Sequence, residues 1–205
     1  MVRELQRVPE GEMLRSWAKD EVYSISMREC FKNNCPSSSI WQKVEEGSED
    51  FSEPELDEME KAIRYCRAGL LNGLLPLGVA WYIGFLPFEE LMSLRIIGYF
   101  SVRLGSDKLN DLVRAYQAGR LPAGLSEFSE SLRDFPKELQ PEDMKGKLIL
   151  VGKSMGPPYI LMEGFKRSVS ILFSMQKGGP RAKQLPVILG TCQRIGEWNH
   201  CPAGF

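Results

Sequence analysis

Apolar and polar positions follow a helical period through the first part of this chain and a mixture of helical and extended patterns through the second. From Met13 to Cys30 the apolar residues Met13, Leu14, Trp17, Val22 and Ile25 recur at helical spacing with acids and bases between them, which predicts one or two amphipathic helices. Asn33-Asn34-Cys35-Pro36-Ser37-Ser38-Ser39 reads as a loop. Ser52-Glu53-Pro54-Glu55 is a helix start, with Ser52 as N-cap, Pro54 in the first turn, Glu55 three residues after the cap and acids at the positive end of the dipole. Leu56, Met59, Ile63 and Cys66 line one face of that helix, which ends between Gly69 and Gly73.

Gly78 to Leu86, bounded by Pro76 and Pro87, is rich in residues that suit a pleated sheet and predicts a strand. Pro87 to Leu94 predicts a helix with proline and the acids Glu89 and Glu90 in its first turn. Ser106 caps a further helix through Leu109, Leu112, Val113 and Tyr116 that stops at Gly119, and the prolines and charges from Arg120 to Asp143 make a linker with one short helix. Beyond it, Lys147 to Val151 and Pro158 to Met162 are adjacent strands joined by Gly152-Lys153-Ser154-Met155-Gly156-Pro157. A helix from Phe165 to Gln176 is broken by Gly178-Gly179-Pro180, and a third strand, Leu185 to Gly190, leads to a short helical tail with Ile195 and Trp198. The expected architecture is α+β, a small mixed sheet flanked by helices over residues 76–205, with residues 1–75 as an N-terminal helical extension.

Composition adds limits. With 205 residues, 43% of them hydrophobic, the chain can bury a core. Mean hydropathy of -0.23, and the lack of an apolar run of about 18 residues, argue against a spanning helix. The charged N-terminus lacks the apolar stretch of a secretion signal, so a cytoplasmic protein is expected, with no membrane partner. Cys30, Cys35, Cys66, Cys192 and Cys201 lack the paired spacing of a disulfide framework or zinc ribbon and are expected to be reduced thiols. Cys192, His200 and Cys201 lack a fourth ligand, and no metal site is expected there.

The net charge of -1 hides a division: from Lys145 onward nine basic residues face two acids, Glu163 and Glu197, so this stretch is +7 and the remainder -8. Such asymmetry points to an anionic ligand for the C-terminal part, or to no more than a solvated basic face. The acidic N-terminal region is a candidate surface for a protein partner. Nucleic acid is a weakly supported partner, since no basic recognition helix stands out.

The densest chemistry lies in Glu163-Gly164-Phe165-Lys166-Arg167-Ser168, where an apolar strand runs into an acid, a glycine and a basic pair opening a helix. Gly164 allows close backbone approach, the free N–H groups of the first helical turn face an anion, and Arg167 can grip phosphate with two prongs. The alternative for Arg167 is a tie to Glu163. Lys166 is a second phosphate contact or a solvated neighbour, Ser168 a hydroxyl donor or a packing residue, and Lys153 an extra phosphate contact or part of a plain hairpin loop. Glu163 is a candidate general base or magnesium-water contact, or a carboxylate capping the turn; Glu89 or Glu90 is a candidate catalytic acid, or a helix-start residue.

The order of elements, with the strand, Glu163-Gly164-Phe165-Lys166-Arg167, a helix and the strand Leu185-Pro186-Val187-Ile188-Leu189, resembles the ParB/sulfiredoxin-like superfamily over Gly78 to Trp198. The resemblance implies that this turn holds nucleotide phosphates of ATP, ADP or CTP, with magnesium as a possible companion. It departs from sulfiredoxins, which place a cysteine beside the glycine and a histidine before the arginine, where this chain has Phe165 and Lys166. The function expected is therefore binding of a nucleotide or other phosphorylated ligand, with phosphoryl transfer or nucleotide hydrolysis as its catalytic form. A non-catalytic nucleotide-sensing or nucleic-acid-associated module is the alternative.

Overall fold

A computed structural model describes residues 1–24, 27–133, 146–176 and 184–205. The chain is α+β, with a six-stranded mixed sheet flanked by helices. The strands are β1 (Arg3–Val8), β2 (Ala80–Pro87), β3 (Arg95–Ile96), β4 (Leu148–Gly152), β5 (Tyr159–Glu163) and β6 (Gln184–Thr191), in the order β1-β2-β6-β4-β5-β3. β6 is the centre: it runs antiparallel to β2 on one side and parallel to β4 on the other. All five residues of β4 are buried, as suits a strand covered on both faces. The sheet curls, since the Val2 N–H beside β1 donates to Tyr159 Oη of β5 at 3.2 Å although three strands lie between them in the order.

The helical region expected over 1–75 opens instead with a strand of the sheet. β1 pairs antiparallel with β2, but between Arg3 and Gln6 it carries one more residue than the facing Phe85 to Ile83, and Glu4 there has φ +54°. Such a bulge shifts the alternation of faces, so Val2, Leu5 and Val8 fall three apart and the period of two is lost from the sequence.

Helices α1 (Glu10–Val22), α2 (Arg28–Asn34), α3 (Ser38–Glu46), α4 (Glu53–Cys66) and α5 (Ala68–Leu74) follow. Two of them narrow the expected Asn33-to-Ser39 loop to residues 35–37. The capping box forms at the head of α4, where the Ser52 N–H donates to Glu55 Oε2 at 2.7 Å. α1 lies along α4, and Met13, Leu14 and Trp17 from one join Met59 and Ile63 from the other in a core continuous with Leu150 and Ile188 of the sheet. No break in packing therefore falls at residues 75 and 76. α2 also packs on α4 and brings the Cα atoms of Cys30 and Cys66 to 5.9 Å, where they form a disulfide. The expectation of reduced thiols is corrected for this pair, because the pairing depends on helix packing and not on sequence spacing. Cys35, Cys192 and Cys201 are free.

After β2 the expected helix is a 3-10 turn, Phe88–Ser93, leading to β3 at the far edge of the sheet. α6 (Gly98–Leu104) and α7 (Leu109–Gln117) follow, with Gly119 at φ +63° just beyond the second. α8 (Ser126–Arg133) is the short helix of the expected linker, and α9 (Phe165–Gln176) follows β5. The predicted break at Gly178-Gly179-Pro180 lies outside the described residues, as do Lys145, Lys177, Arg181 and Lys183 of the basic stretch. Among the described residues no helix is long and apolar enough to cross a membrane.

Candidate functional site at the turn from β5 to α9

Gly164 makes the turn possible. It sits buried at φ +100°, and a Cβ there would lie 2.5 Å from Leu148 Cδ2 of the neighbouring strand. The Ser168 N–H donates to the Gly164 carbonyl at 2.9 Å and closes the first turn of α9. Phe165 anchors the start of the helix against Phe100, with ring centroids 4.4 Å apart.

Glu163 is held from two sides. Its Oε1 accepts the Gly164 N–H at 3.0 Å, and its Oε2 lies 3.1 Å from Nη2 of Arg67, the residue joining α4 to α5. The same Nη2 lies 2.7 Å from Glu21 Oε1 of α1, which also accepts the Trp17 indole N–H at 3.1 Å. Two carboxylates thus share one nitrogen of one guanidinium. Glu21 is 5% exposed, and its Oε2 and the Arg67 Nε have no hydrogen-bond partner among the described residues. Burial pushes the Glu21 carboxyl above its ordinary range and Glu163 pushes it further, while Arg67 pulls it back. For Arg67, burial opposes the charge, but the two carboxylates outweigh it and the net shift is upward.

Arg167 reaches the other side of the turn, beside Asp20 of α1. A Cβ on Gly146 would meet Arg167 Nη1 at 2.4 Å and Asp20 Oδ2 at 2.8 Å, so both side chains converge on this backbone. Asp20 Oδ2 also accepts the Lys147 N–H at 2.8 Å, and Lys147 Nζ donates to Ser16 Oγ at 2.9 Å. Burial raises the Asp20 carboxyl, opposed first by that backbone hydrogen bond and then by the charges of Arg167 and Lys147. One turn of α1 therefore faces the glycine turn with two acids. The two oxygens of Glu163 go to Gly164 and Arg67, and Arg167 lies with Asp20.

Lys166 is half-buried at the head of α9, and Ser168 is fully buried with no partner for its hydroxyl among the described residues. The other candidates do not join them. Lys153 lies at the far end of the β4–β5 hairpin, where Gly152 faces Tyr159 while Ile149 faces Glu163. Four residues of strand, roughly 13 Å, separate these ends. Lys153 Nζ donates instead to the Phe205 carbonyl at 2.8 Å. Glu90 binds the Met1 amino group at 2.5 Å and the Ser93 hydroxyl at 3.3 Å, and its charge is felt by Tyr159, at the opposite end of β5 from Glu163. Glu89 is exposed on the same 3-10 turn. The expectation of a catalytic acid from this pair is not met by the geometry, because the curl of the sheet carries the turn to the Tyr159 end.

Among the described residues of the basic stretch, Lys147 faces α1, Lys153 the Phe205 carbonyl, and Arg194 forms a two-pronged pair with Glu197. The His200 ring contacts the Gly69 carbonyl at 2.8 Å and the Cys192 thiol donates to the Leu77 carbonyl at 3.2 Å. Among the described residues no group of three or more metal-ligating side chains is assembled. A cleft of about 410 Å³ opens elsewhere, between Arg7, Pro9 and Glu10 on one side and Val79 and Trp81 on the other, and no predicted site residue lines it.

Asp20, Glu21 and Arg67 escaped sequence reasoning. One signal was available for Glu21: it falls four residues after Trp17, on the apolar face that carries Leu14 and Trp17, and an acid at such a position needs a buried partner. Arg67 and Asp20 carry no comparable mark. No protein-family model, no curated protein and no solved structure matches the chain.

Proposed function

We propose that the chain binds a phosphate-bearing ligand, a nucleotide such as ATP, ADP or CTP being the fitting class, at the turn from β5 to α9. The observation that supports this reading is Arg167 beside a carboxylate, Asp20, whose charge is disfavoured by burial, at the head of a twelve-residue helix entered through Gly164. Asp20 supplies the negative charge that Arg167 requires there. A phosphate, with more charge and more acceptor oxygens, is the stronger partner for Arg167 and the first N–H groups of α9, and it would displace Asp20. The ParB/sulfiredoxin-like resemblance of Glu163 to Arg167 supports the same ligand class.

Binding without turnover is the form this geometry favours. Glu163 would have to leave Arg67 to act as a base, and the acids nearest the turn are occupied by arginine and backbone N–H groups, which fits a magnesium ion poorly. Phosphoryl transfer and nucleotide hydrolysis are therefore set below simple binding. A thermal-shift series with ATP, ADP, CTP, GTP and inorganic phosphate, with and without magnesium, tests the proposal on wild type, Arg167→Ala and Asp20→Asn. A ligand at about 100 times its dissociation constant adds about 2.7 kcal/mol to stability. The expected result is a selective rise that Arg167→Ala loses and Asp20→Asn strengthens. No rise with any of these ligands would overturn the proposal.

A further inference from the structure

The ion cluster beside the glycine turn is short of positive charge. Glu21 of α1 and Glu163 at the end of β5 both lie on Nη2 of Arg67, at 2.7 and 3.1 Å, and one guanidinium carries a single charge. The outer oxygens of the two acids differ. Oε1 of Glu163 accepts the Gly164 N–H at 3.0 Å, whereas Oε2 of Glu21 is buried without a hydrogen-bond partner among the described residues. An ionised Glu21 therefore leaves a buried acceptor unsatisfied and must share its counter-charge with a second acid. A proton on Glu21 removes the charge and leaves Arg67 one acid to serve.

The charges that act on Glu21 are those of Glu163 and Arg67. On its own helix Asp20 lies with Arg167 and the Lys147 N–H, and Arg15 is given to the acids of α4. Arg64 of α4 goes to Glu10 and Glu60, and the charged residues of α2, Arg28, Glu29 and Lys32, are exposed. α5 holds no titratable side chain and β2 only Tyr82. At the head of α9 Lys166 is half-buried. Burial first, and then the Glu163 charge, favour the protonated form of Glu21 against the pull of Arg67. The side chains of Arg67 and Glu163 are 20% and 21% exposed, so water reaches the cluster from the Glu163 side.

We propose that Glu21 is the proton-binding group of a pH-sensitive switch that sets how Arg67 is divided between Glu21 and Glu163. The proton comes from water and returns to it. With Glu21 protonated, Arg67 is given to Glu163 and the cluster is neutral. As pH rises and Glu21 ionises, the cluster gains one negative charge and the two acids compete for the same nitrogen. Glu163 then turns more of its charge on the Gly164 N–H, the amide of the residue that admits the chain to α9. The switch thus acts on the turn through two direct contacts of one guanidinium. It stands apart from the ligand reading, since its measurement uses no ligand.

An NMR titration of the full chain tests this with three signals: the Glu21 carboxyl carbon, the Trp17 indole N–H, which donates to Glu21, and the Gly164 amide, which donates to Glu163. The expected result is one transition with a common midpoint above the ordinary 4.5 in all three. Glu21→Gln should remove it from the Trp17 and Gly164 signals, while Asp20→Asn should keep it. Glu163→Gln, which takes away the competing charge, should lower the Glu21 midpoint by about one pH unit. The absence of a Glu21 transition, or one at or below 4.5, would sink the proposal in the wild type alone, whether or not a variant folds. So would a raised Glu21 transition that the Gly164 amide does not follow, or whose midpoint Glu163→Gln leaves in place, since Glu21 would then be a buried acid and no switch.

Discussion

α1 carries two sets of ion pairs that differ in almost every physical respect. On its outer side Arg15 reaches Glu53, Asp57 and Glu60 of α4, and Glu10 reaches Arg64, in a network where most partners are well exposed. On its inner side Glu21 shares Arg67 with Glu163, and here Glu21 is almost wholly buried. Water and salt screen the first set, and long side chains lose freedom to form it. The second set is held farther from water at Glu21, and its worth lies in what happens when one member is taken away. The lesson is that the smaller network governs the candidate site, while the larger one aligns two helices.

The sharpest way to break this contrast is Arg67→Ala. It strands two carboxylates, one of them buried, and should cost about 3–5 kcal/mol in urea unfolding, which monitors the whole molecule. Opening the disulfide should cost about 2–4 kcal/mol by the same measurement, because the unfolded chain recovers the freedom of a long loop. Gly164→Ala should lose about 1–3 kcal/mol, since alanine must both adopt a positive φ and displace Leu148. A loss of that size with ligand binding intact would separate the turn's structural role from its proposed ligand.

Stability against pH sharpens the comparison further, because the signs are opposite at two acids. The folded Glu21 carboxyl is raised above its ordinary 4.5, so the folded state binds a proton more readily than the unfolded chain. Its contribution is fully present below that pH and is lost as pH rises through the raised value. Glu55, at the capping box, is lowered to about 2 by Lys43 first and then by Ser39 and Ser52. Its contribution is present above 4.5 and is lost as pH falls toward about 2. Urea midpoints across pH should show Glu21→Gln flattening the upper limb and Glu55→Gln flattening the acid limb. The smallest effect belongs to Arg15→Ala, whose midpoint should stay within measurement error at physiological salt.

Legibility followed the range of the interactions. The capping box at Ser52, the strand before Pro87, the hairpin strands β4 and β5 and helix α9 are all specified by residues near one another, and each was readable. β1 was not, because its bulge erased the alternation that marks a strand. The Glu163 turn was readable in its local residues but not in its partners, since these come from 96 and more positions away in Arg67, Glu21 and Asp20. Cys66 was placed correctly on an inner helix face. Its bond to Cys30 required knowing how α2 lies on α4. Lys153 and Glu90 show the reverse error: being close in type and charge to the expected chemistry, they looked like site residues until the sheet carried them to the other end of β5.

The central position of β6 bears on the order in which this chain can be finished. β1 and β2 can pair once about ninety residues exist, and β4 can pair with β5 within a short span further on. The two partial sheets cannot be joined by strand pairing until Gln184–Thr191 has been made, because among the described residues β6 alone pairs with both β2 and β4. During synthesis the inner edges of two partial sheets, β2 on one and β4 on the other, wait unpaired for the same late segment. Such waiting edges are where a growing chain is open to wrong partners. The strand that completes the sheet is therefore also the one that ends its period of risk.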